Sequence, residues 1–335
     1  MSLLAKSDRI YVAGSTGMVG SSICKLLIKN GFTYENSQLL TSSRKVLDLE
    51  DANKLDLWFG ENKPDIVICA AAKVGGILAN RDKPVDFLLK NLKIQTNIIE
   101  SSWKFGVKRF LFLGSSCIYP KLCQQPIKEE YLLENSLEST NQWYALAKIA
   151  GLKLCEAYKD QYNFDAISLM PTNLYGPSDN YKKNESHVFA SLIRKFYTAK
   201  INNEKSVTCW GSGKPLREFL YVDDLAEASL FVLKNWYPNN NNSPKSKEGK
   251  NLNWLNVGSK FEISVNDLAK KISEIVGFDG KIIWDKTKPD GTPRKKLNTD
   301  YINKLGWFAK TDLEKGILKT LESYKYELNT KSVRI

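Results

Sequence analysis

The chain predicts an α/β protein: a Rossmann-type doubly wound parallel sheet with a smaller C-terminal α/β substrate domain. Three observations carry this. Short apolar runs alternate with helical patterns through the first half. The first run leads directly into Gly14-Ser-Thr-Gly17-Met-Val-Gly20, which opens a helical pattern. The length of 335 residues, 42% of them hydrophobic, supports a large core in one elaborate domain or two compact ones.

In chain order, strands are expected at 9–13, 37–41, 65–70, 109–113 and 165–170, with helices at 18–30, 85–104 and 143–162 between them. The second half is less regular, with helix-like runs at 187–199 and 224–236 and amphipathic segments at 265–276 and 313–328. Residues 237–250 hold four consecutive asparagines with Pro, Ser, Lys and Gly, and read as an exposed, mobile loop. The expected division is 1–172, completed by 215–258, for the nucleotide-binding domain, and 173–214 with 259–335 for the substrate domain.

The formal charge is +12, but the lysines are scattered and no basic tract or interleaved aromatic motif marks a nucleic-acid surface. Some of these cations suit a phosphorylated small molecule instead. Cys24, Cys69, Cys117, Cys123, Cys155 and Cys209 show no C-x-x-C spacing, so free thiols in a reducing compartment are expected, with no metal site. No secretory signal or membrane-spanning run is evident, and a cytoplasmic location is the expectation.

In the glycine motif each residue has a separate task. One glycine permits the tight turn, the next admits a pyrophosphate to backbone N–H groups, and the last allows close helix packing while the helix dipole favours the anion. Gly14, Ser15, Thr16, Gly17, Met18, Val19 and Gly20 are therefore cofactor-binding candidates. The end of the second strand selects the nucleotide. A carboxylate there would bond a ribose 2′-hydroxyl, whereas here Thr41-Ser-Ser-Arg44-Lys45 offers cations, which favours NADP(H) with Arg44 on the 2′-phosphate. Asp48 is placed beside the adenine, and Ala71 and Lys73 beside the cofactor at the third strand's end.

Tyr144 and Lys148 stand one helical turn apart. A phenol titrates near ~10 and becomes a useful acid or base at neutral pH when a nearby cation stabilises the phenolate. Ser115 leaves the fourth strand at its carboxyl end, where open α/β sheets bind ligands, and completes a hydride-transfer triad with Tyr144 and Lys148.

With these residues and the stretches 71–76, 114–121, 170–177, 210–213, 217–219 and 288–295, the chain resembles the extended short-chain dehydrogenase/reductases, and among them the GDP-L-fucose synthase family of 3,5-epimerase/4-reductases. The resemblance implies a GDP-4-keto-6-deoxy-D-mannose substrate, NADPH and a homodimer pairing the helices at 85–104 and 143–162. It places an acid–base pair on Cys117 and His187, the only histidine, with Cys117 as base, and does not divide carbons 3 and 5 between them. It adds Pro171, Asn173, Leu174 and His187 to the cofactor contacts. For the GDP-sugar it implies Ser116, Asn173, Val188, Lys195, Trp210, Arg217 and Asp290, with Arg294 or Lys295 closing over the diphosphate. Two positions depart from the pattern: Lys195, where arginine is expected, and Ser15-Thr16, where some members carry His-Arg.

A 4,6-dehydratase would need an Asp-Glu pair where Ser116-Cys117 stand. An NAD-dependent 4-epimerase has no use for Cys117 and His187 as a pair. A non-catalytic NADP-binding regulator has no need of Ser115, Tyr144 and Lys148 together.

Overall fold

The computed structural model describes residues 3–247 and 249–334. The first unit runs β1 (Ile10–Ala13), α1 (Met18–Lys29), β2 (Leu39–Thr41), α2 (Ala52–Asn62), β3 (Ile66–Cys69), α3 (Ile77–Asp82), α4 (Asn91–Lys104), β4 (Arg109–Leu113), α5 (Gln142–Tyr162) and β5 (Ala166–Pro171). The chain then passes through β6 (Asn173–Tyr175), α6 (Val188–Ile201), β7 (Ser206–Trp210), β8 (Leu216–Tyr221) and α7 (Val222–Asn235). It closes with β9 (Trp254–Val257), β10 (Glu262–Ser264), α8 (Val265–Val276), β11 (Lys281–Asp285), β12 (Arg294–Lys295), α9 (Asp300–Lys304) and α10 (Leu313–Asn329).

The main sheet is parallel, in the order β2-β1-β3-β4-β5-β9. Its strands are apolar on both faces because both are covered. Ile10, Val12, Ile66, Ile68, Leu111, Leu113, Ile167 and Leu169 join one core with Ile23 and Leu27 of α1 and Leu225 and Leu233 of α7. The alternate residues Tyr11, Ala13, Val67, Cys69, Phe110 and Phe112 enter the opposite core with Leu55 of α2, Ile98 of α4 and Leu152 of α5. The period-2 direction of strand side chains thus divides each apolar run between two layers.

A third core joins α6, α8 and α10 through Phe189, Phe196, Leu268, Ile272 and Ile317. Beside it lie β8 with β6, β10 and β12, and the separate pair β7–β11. The segment 215–258, expected to complete the first domain, is split: β8 pairs within this second group, and the return to the main sheet is made by α7 and β9. No helix among the described residues is long and apolar enough to cross a membrane.

Several elements differ from their sequence expectation. The single helix at 85–104 is a π turn over Asp86–Lys90 followed by α4. The cause is Asn91, whose amide donates to the Phe87 carbonyl at 2.7 Å and the Lys73 carbonyl at 3.0 Å, inserting a side chain into the helical ladder. The Asn-rich segment exposes Asn239, Asn240, Asn241 and Asn242, but it is anchored by buried Pro238, Ser243 and Pro244 and a bridge between Lys245 and Asn251.

Gly14 has φ +84°, and a Cβ there would lie 2.7 Å from the Ala71 nitrogen. Gly31 has a comparable φ of +91° with open space around it. The left-handed conformation alone costs an L-residue about 1–2 kcal/mol. Gly31→Ala is therefore expected to lose about that much in urea unfolding, and Gly14→Ala clearly more, because backbone overlap adds to the same strain. Equal losses would contradict this packing of the turn.

Candidate active site

The carboxyl ends of β1, β3, β4 and β5 open into a cavity of about 950 Å³ that extends to β7, β8 and β12. At one end, the turn Gly14–Gly17 leads into α1, whose N-cap Gly17 supplies no side-chain cap. The first N–H groups of α1 are left for a ligand, and the helix dipole favours a negative one. A Cβ on Gly20 would lie 2.2 Å from the Gly14 carbonyl oxygen, so α1 can approach the turn this closely only with glycine. Gly14, Thr16, Gly17, Met18 and Val19 line the cavity; Ser15 and Gly20 do not, Gly20 being buried as a packing residue. This cradle fits a dinucleotide pyrophosphate.

Arg44 and Asp48 lie on the cavity rim. The Arg44 side chain is 73% exposed and pairs with Glu50 at 2.9 Å. An exposed pair of this kind is worth only about 0–1 kcal/mol, so the guanidinium is readily given up to a phosphate. Ala71, Lys73, Pro171, Asn173 and Leu174 line the wall as expected.

At the centre, Ser115 caps the short 3-10 turn Ser116–Ile118, its Oγ accepting the Cys117 N–H at 3.3 Å. Ser115, Ser116, Cys117 and Tyr144 all line the cavity, and Cys117 belongs to none of the three hydrophobic cores. Burial pushes the Cys117 thiol above its ordinary range, while the cations Lys295 and Lys148 and the Ser115 contact draw it back.

Lys148 does not line the cavity. It lies behind Tyr144, its ammonium 5.8 Å from that ring's centroid and 4.6 Å from that of Phe112, and donates to the Leu113 carbonyl at 2.8 Å. Burial holds Lys148 below the ordinary lysine value. Tyr144 is pushed well above its ordinary range by burial, with Cys117 adding in the same direction. The simple expectation that Lys148 lowers Tyr144 is therefore not met in the free site, because enclosure dominates.

His187 is the N-cap of α6 and lines the same cavity. It arrives there because the loop after β3 admits it. Asn91 accepts the Lys73 N–H at 2.8 Å, and the Gly76 N–H donates to the Glu185 carbonyl at 2.9 Å. A Cβ on Gly76 would come within 2.7 Å of the Ser186 oxygen. The ring is accessible to solvent within the open cleft, yet ringed by protein; that enclosure first, and the Lys295 charge second, set its pKa below the ordinary histidine value.

The far end gathers Val188, Lys195, Trp210, Arg217 and Asp290, and Lys295, in register with Arg217, lines the cavity where its charge also acts on Cys117. Lys195 donates to the Thr208 carbonyl at 2.8 Å and stands 5.3 Å from the Trp210 ring, with Lys288 on the same ring at 5.9 Å. Asp290 accepts the Ser212 N–H at 2.6 Å and hydroxyl at 2.8 Å. Burial lowers Arg217 to about 10, against the pull of Asp290 and Glu138. Arg294 is a correction: it does not line the cavity but holds Glu262 in a two-pronged pair, through Nε at 2.8 Å and Nη2 at 2.5 Å. In the extended strand β12, adjacent side chains point to opposite sides, so only Lys295 of the two faces the cavity.

Residues not singled out from sequence also line it, including Glu138, Asn141, Lys288 and Arg334. Lys288 sat within a motif already noted. Glu138, held by Lys121 at 2.9 Å, carried no local signal.

The NAD dependent epimerase/dehydratase family matches residues 10–243. GDP-L-fucose synthase 1 of Arabidopsis thaliana is 49% identical over 323 residues, 96% of this chain and 95% of that protein. Among solved structures, a GDP-6-OMe-4-keto-L-xylo-heptose reductase from C. jejuni superposes with TM-score 0.89 at 32% identity, covering 97% of this chain and 99% of that one. A GDP-L-fucose synthetase from Naegleria fowleri bound to NADP gives TM-score 0.84 at 28% identity, covering 99% and 98%. This chain belongs to the NAD dependent epimerase/dehydratase family, and within it to the GDP-L-fucose synthases.

Proposed function

We propose that this protein converts GDP-4-keto-6-deoxy-D-mannose to GDP-L-fucose by 3,5-epimerisation followed by NADPH-dependent reduction at carbon 4. The observation that carries the reading is that a thiol and an imidazole, Cys117 and His187, line the same cavity as Ser115 and Tyr144. The glycine cradle lies at one end of it and Trp210 with Arg217 at the other.

Protons alpha to a ketone are acidic enough for a positioned base once the enolate oxygen is stabilised. Ser115 and Tyr144 hold that oxygen by hydrogen bonds from their hydroxyls. Cys117, as thiolate, removes a proton from one face of the ring, and His187, as imidazolium, returns one to the other. The resulting thiol and neutral imidazole recover their starting states by proton exchange with water. Both inversions precede reduction, because the ketone that acidifies those protons is then consumed. NADPH, when bound, supplies the hydride for carbon 4. Tyr144 gives the alkoxide its proton, and Lys148 behind it favours the phenolate left over. Arg217, Lys195 and Asp290 hold the GDP-sugar beside Trp210.

The functional unit is a homodimer in the cytoplasm. Supporting the first are exposed apolar side chains on α4 and α5: Trp103 packed against Tyr162 with ring centroids 4.4 Å apart, and Leu146 nearer the start of α5. Supporting the second are six cysteines, all free thiols.

The protein is expected to oxidise NADPH with GDP-4-keto-6-deoxy-D-mannose and release GDP-L-fucose, identified by NMR; turnover of another nucleotide sugar in its place sinks the assignment. Cys117→Ser and His187→Asn should each lower solvent deuterium incorporation at carbon 3 or 5 by about 10²-fold or more, whereas Tyr144→Phe should chiefly suppress reduction. Normal exchange in both of the first two variants removes their acid–base role. Arg44→Ala should raise KM for NADPH about tenfold and leave that for NADH unchanged, since one charge-assisted hydrogen bond is worth about 1.5–3 kcal/mol. An equal effect on both cofactors contradicts a 2′-phosphate contact.

A further inference from the structure

Cys117 is buried, and burial by itself favours the neutral thiol. A thiol that acts as a base must become a thiolate, so a nearby cation has to offset its burial. Two ammonium groups act on it. Lys148 is already committed to the Leu113 carbonyl and the face of Phe112. Lys295 forms no ion pair among the described residues, and no hydrogen bond from its ammonium is found there.

The backbone fixes its place. In β12, Lys295 lies in register with Arg217 of β8. The adjoining Lys296 N–H donates to Gln125 Oε1 at 2.9 Å, and its carbonyl accepts the Ile127 N–H at 2.7 Å. Strand β12 is thereby tied to the segment that leads away from Cys117. Neighbouring Arg294 is turned outward to Glu262.

We propose that Lys295 is a positioning residue whose free ammonium poises both members of the acid–base pair, Cys117 and His187. This rests on the epimerase reading above and deepens it. The same charge acts on the two groups in complementary senses. It favours the thiolate at Cys117, and it makes the imidazolium of His187 readier to release its proton. Burial, with Arg217, holds Lys295 below the ordinary lysine value, against the pull of Cys117, Glu138 and Cys123 toward its charged form. Glu138 is itself held by Lys121, so it does not close an ion pair on Lys295. Tyr144 and Lys148, on α5, are the other titratable groups acting at Cys117.

The test alkylates the sugar-free enzyme with iodoacetamide across pH and follows the Cys117 peptide by mass, which trypsin separates from Cys123 at Lys121. In Lys295→Met the alkylation midpoint should move up by about one on the pH scale, making reaction about tenfold slower at any fixed pH below it. Lys295→Gln should do the same and carries the test if the methionine variant does not fold. Lys295→Arg should restore the wild-type midpoint. In solvent deuterium exchange, both limbs of the pH profile should move to higher pH in Lys295→Met, because His187 rises as well.

An unmoved midpoint in folded variants, with only a raised KM for the GDP-sugar, overturns the proposal and leaves Lys295 as a diphosphate anchor. Alkylation requires no sugar. A shifted midpoint in a protein that fails to make GDP-L-fucose would therefore strike the functional reading and uphold the electrostatic one.

Discussion

The candidate reacting groups share one cavity because backbone approaches backbone at two glycine positions. At Gly14 the turn after β1 lies against Ala71, and at Gly76 the loop after β3 lies against Glu185 and Ser186, which lead into His187. The second approach carries His187 into the cavity that Ser115 and Cys117 after β4 and Tyr144 of α5 also line. A side chain at Gly76 would push away the only histidine. The parallel sheet supplies the platform, since its strand order reverses beside β1 and the carboxyl ends of β1, β3 and β4 open on the same side.

Electrostatics in this cavity are a contest between enclosure and nearby cations. Enclosure favours the neutral forms of Cys117, Tyr144, His187 and Lys148. Against it stand a few charges fixed by backbone geometry. Lys148 is held on the Leu113 carbonyl, Lys295 is set by strand register, and Arg217 is drawn down to about 10 while staying a cation at neutral pH. Positive charge is thus distributed along the cavity, from the Arg44 rim through the centre to Lys195 and Lys288 around Trp210. A substrate with a diphosphate at one end and a ketone at the other matches that distribution.

The first half of the fold was legible because apolar runs and helical periodicity repeat there without interruption. All five expected strands are present there with ends shifted by at most two residues, and the glycine turn stands between β1 and α1 as its spacing implies. Helix α2 was missed because its apolar stripe is weak, although Asp51, which accepts the Lys54 N–H at 3.1 Å, is a readable N-cap. Strands β6, β10 and β12 are two or three residues long and exist through pairing with β8, a long-range contact that local pattern does not encode. The site followed the same division. Ser115, Cys117, Tyr144 and the glycines were marked by local motif, whereas Glu138 and the opposite aims of Arg294 and Lys295 depended on strand register and side-chain direction.

The proposed epimerisation requires one thiol and one imidazole on opposite faces of the same sugar ring. A crystal structure with GDP-4-keto-6-deoxy-D-mannose bound tests it most directly. Cys117 Sγ and a His187 ring nitrogen are expected on opposite faces, each about 3–3.5 Å from a carbon flanking the ketone. Finding both on one face, or the sugar bound with its ketone away from Ser115 and Tyr144, would contradict it.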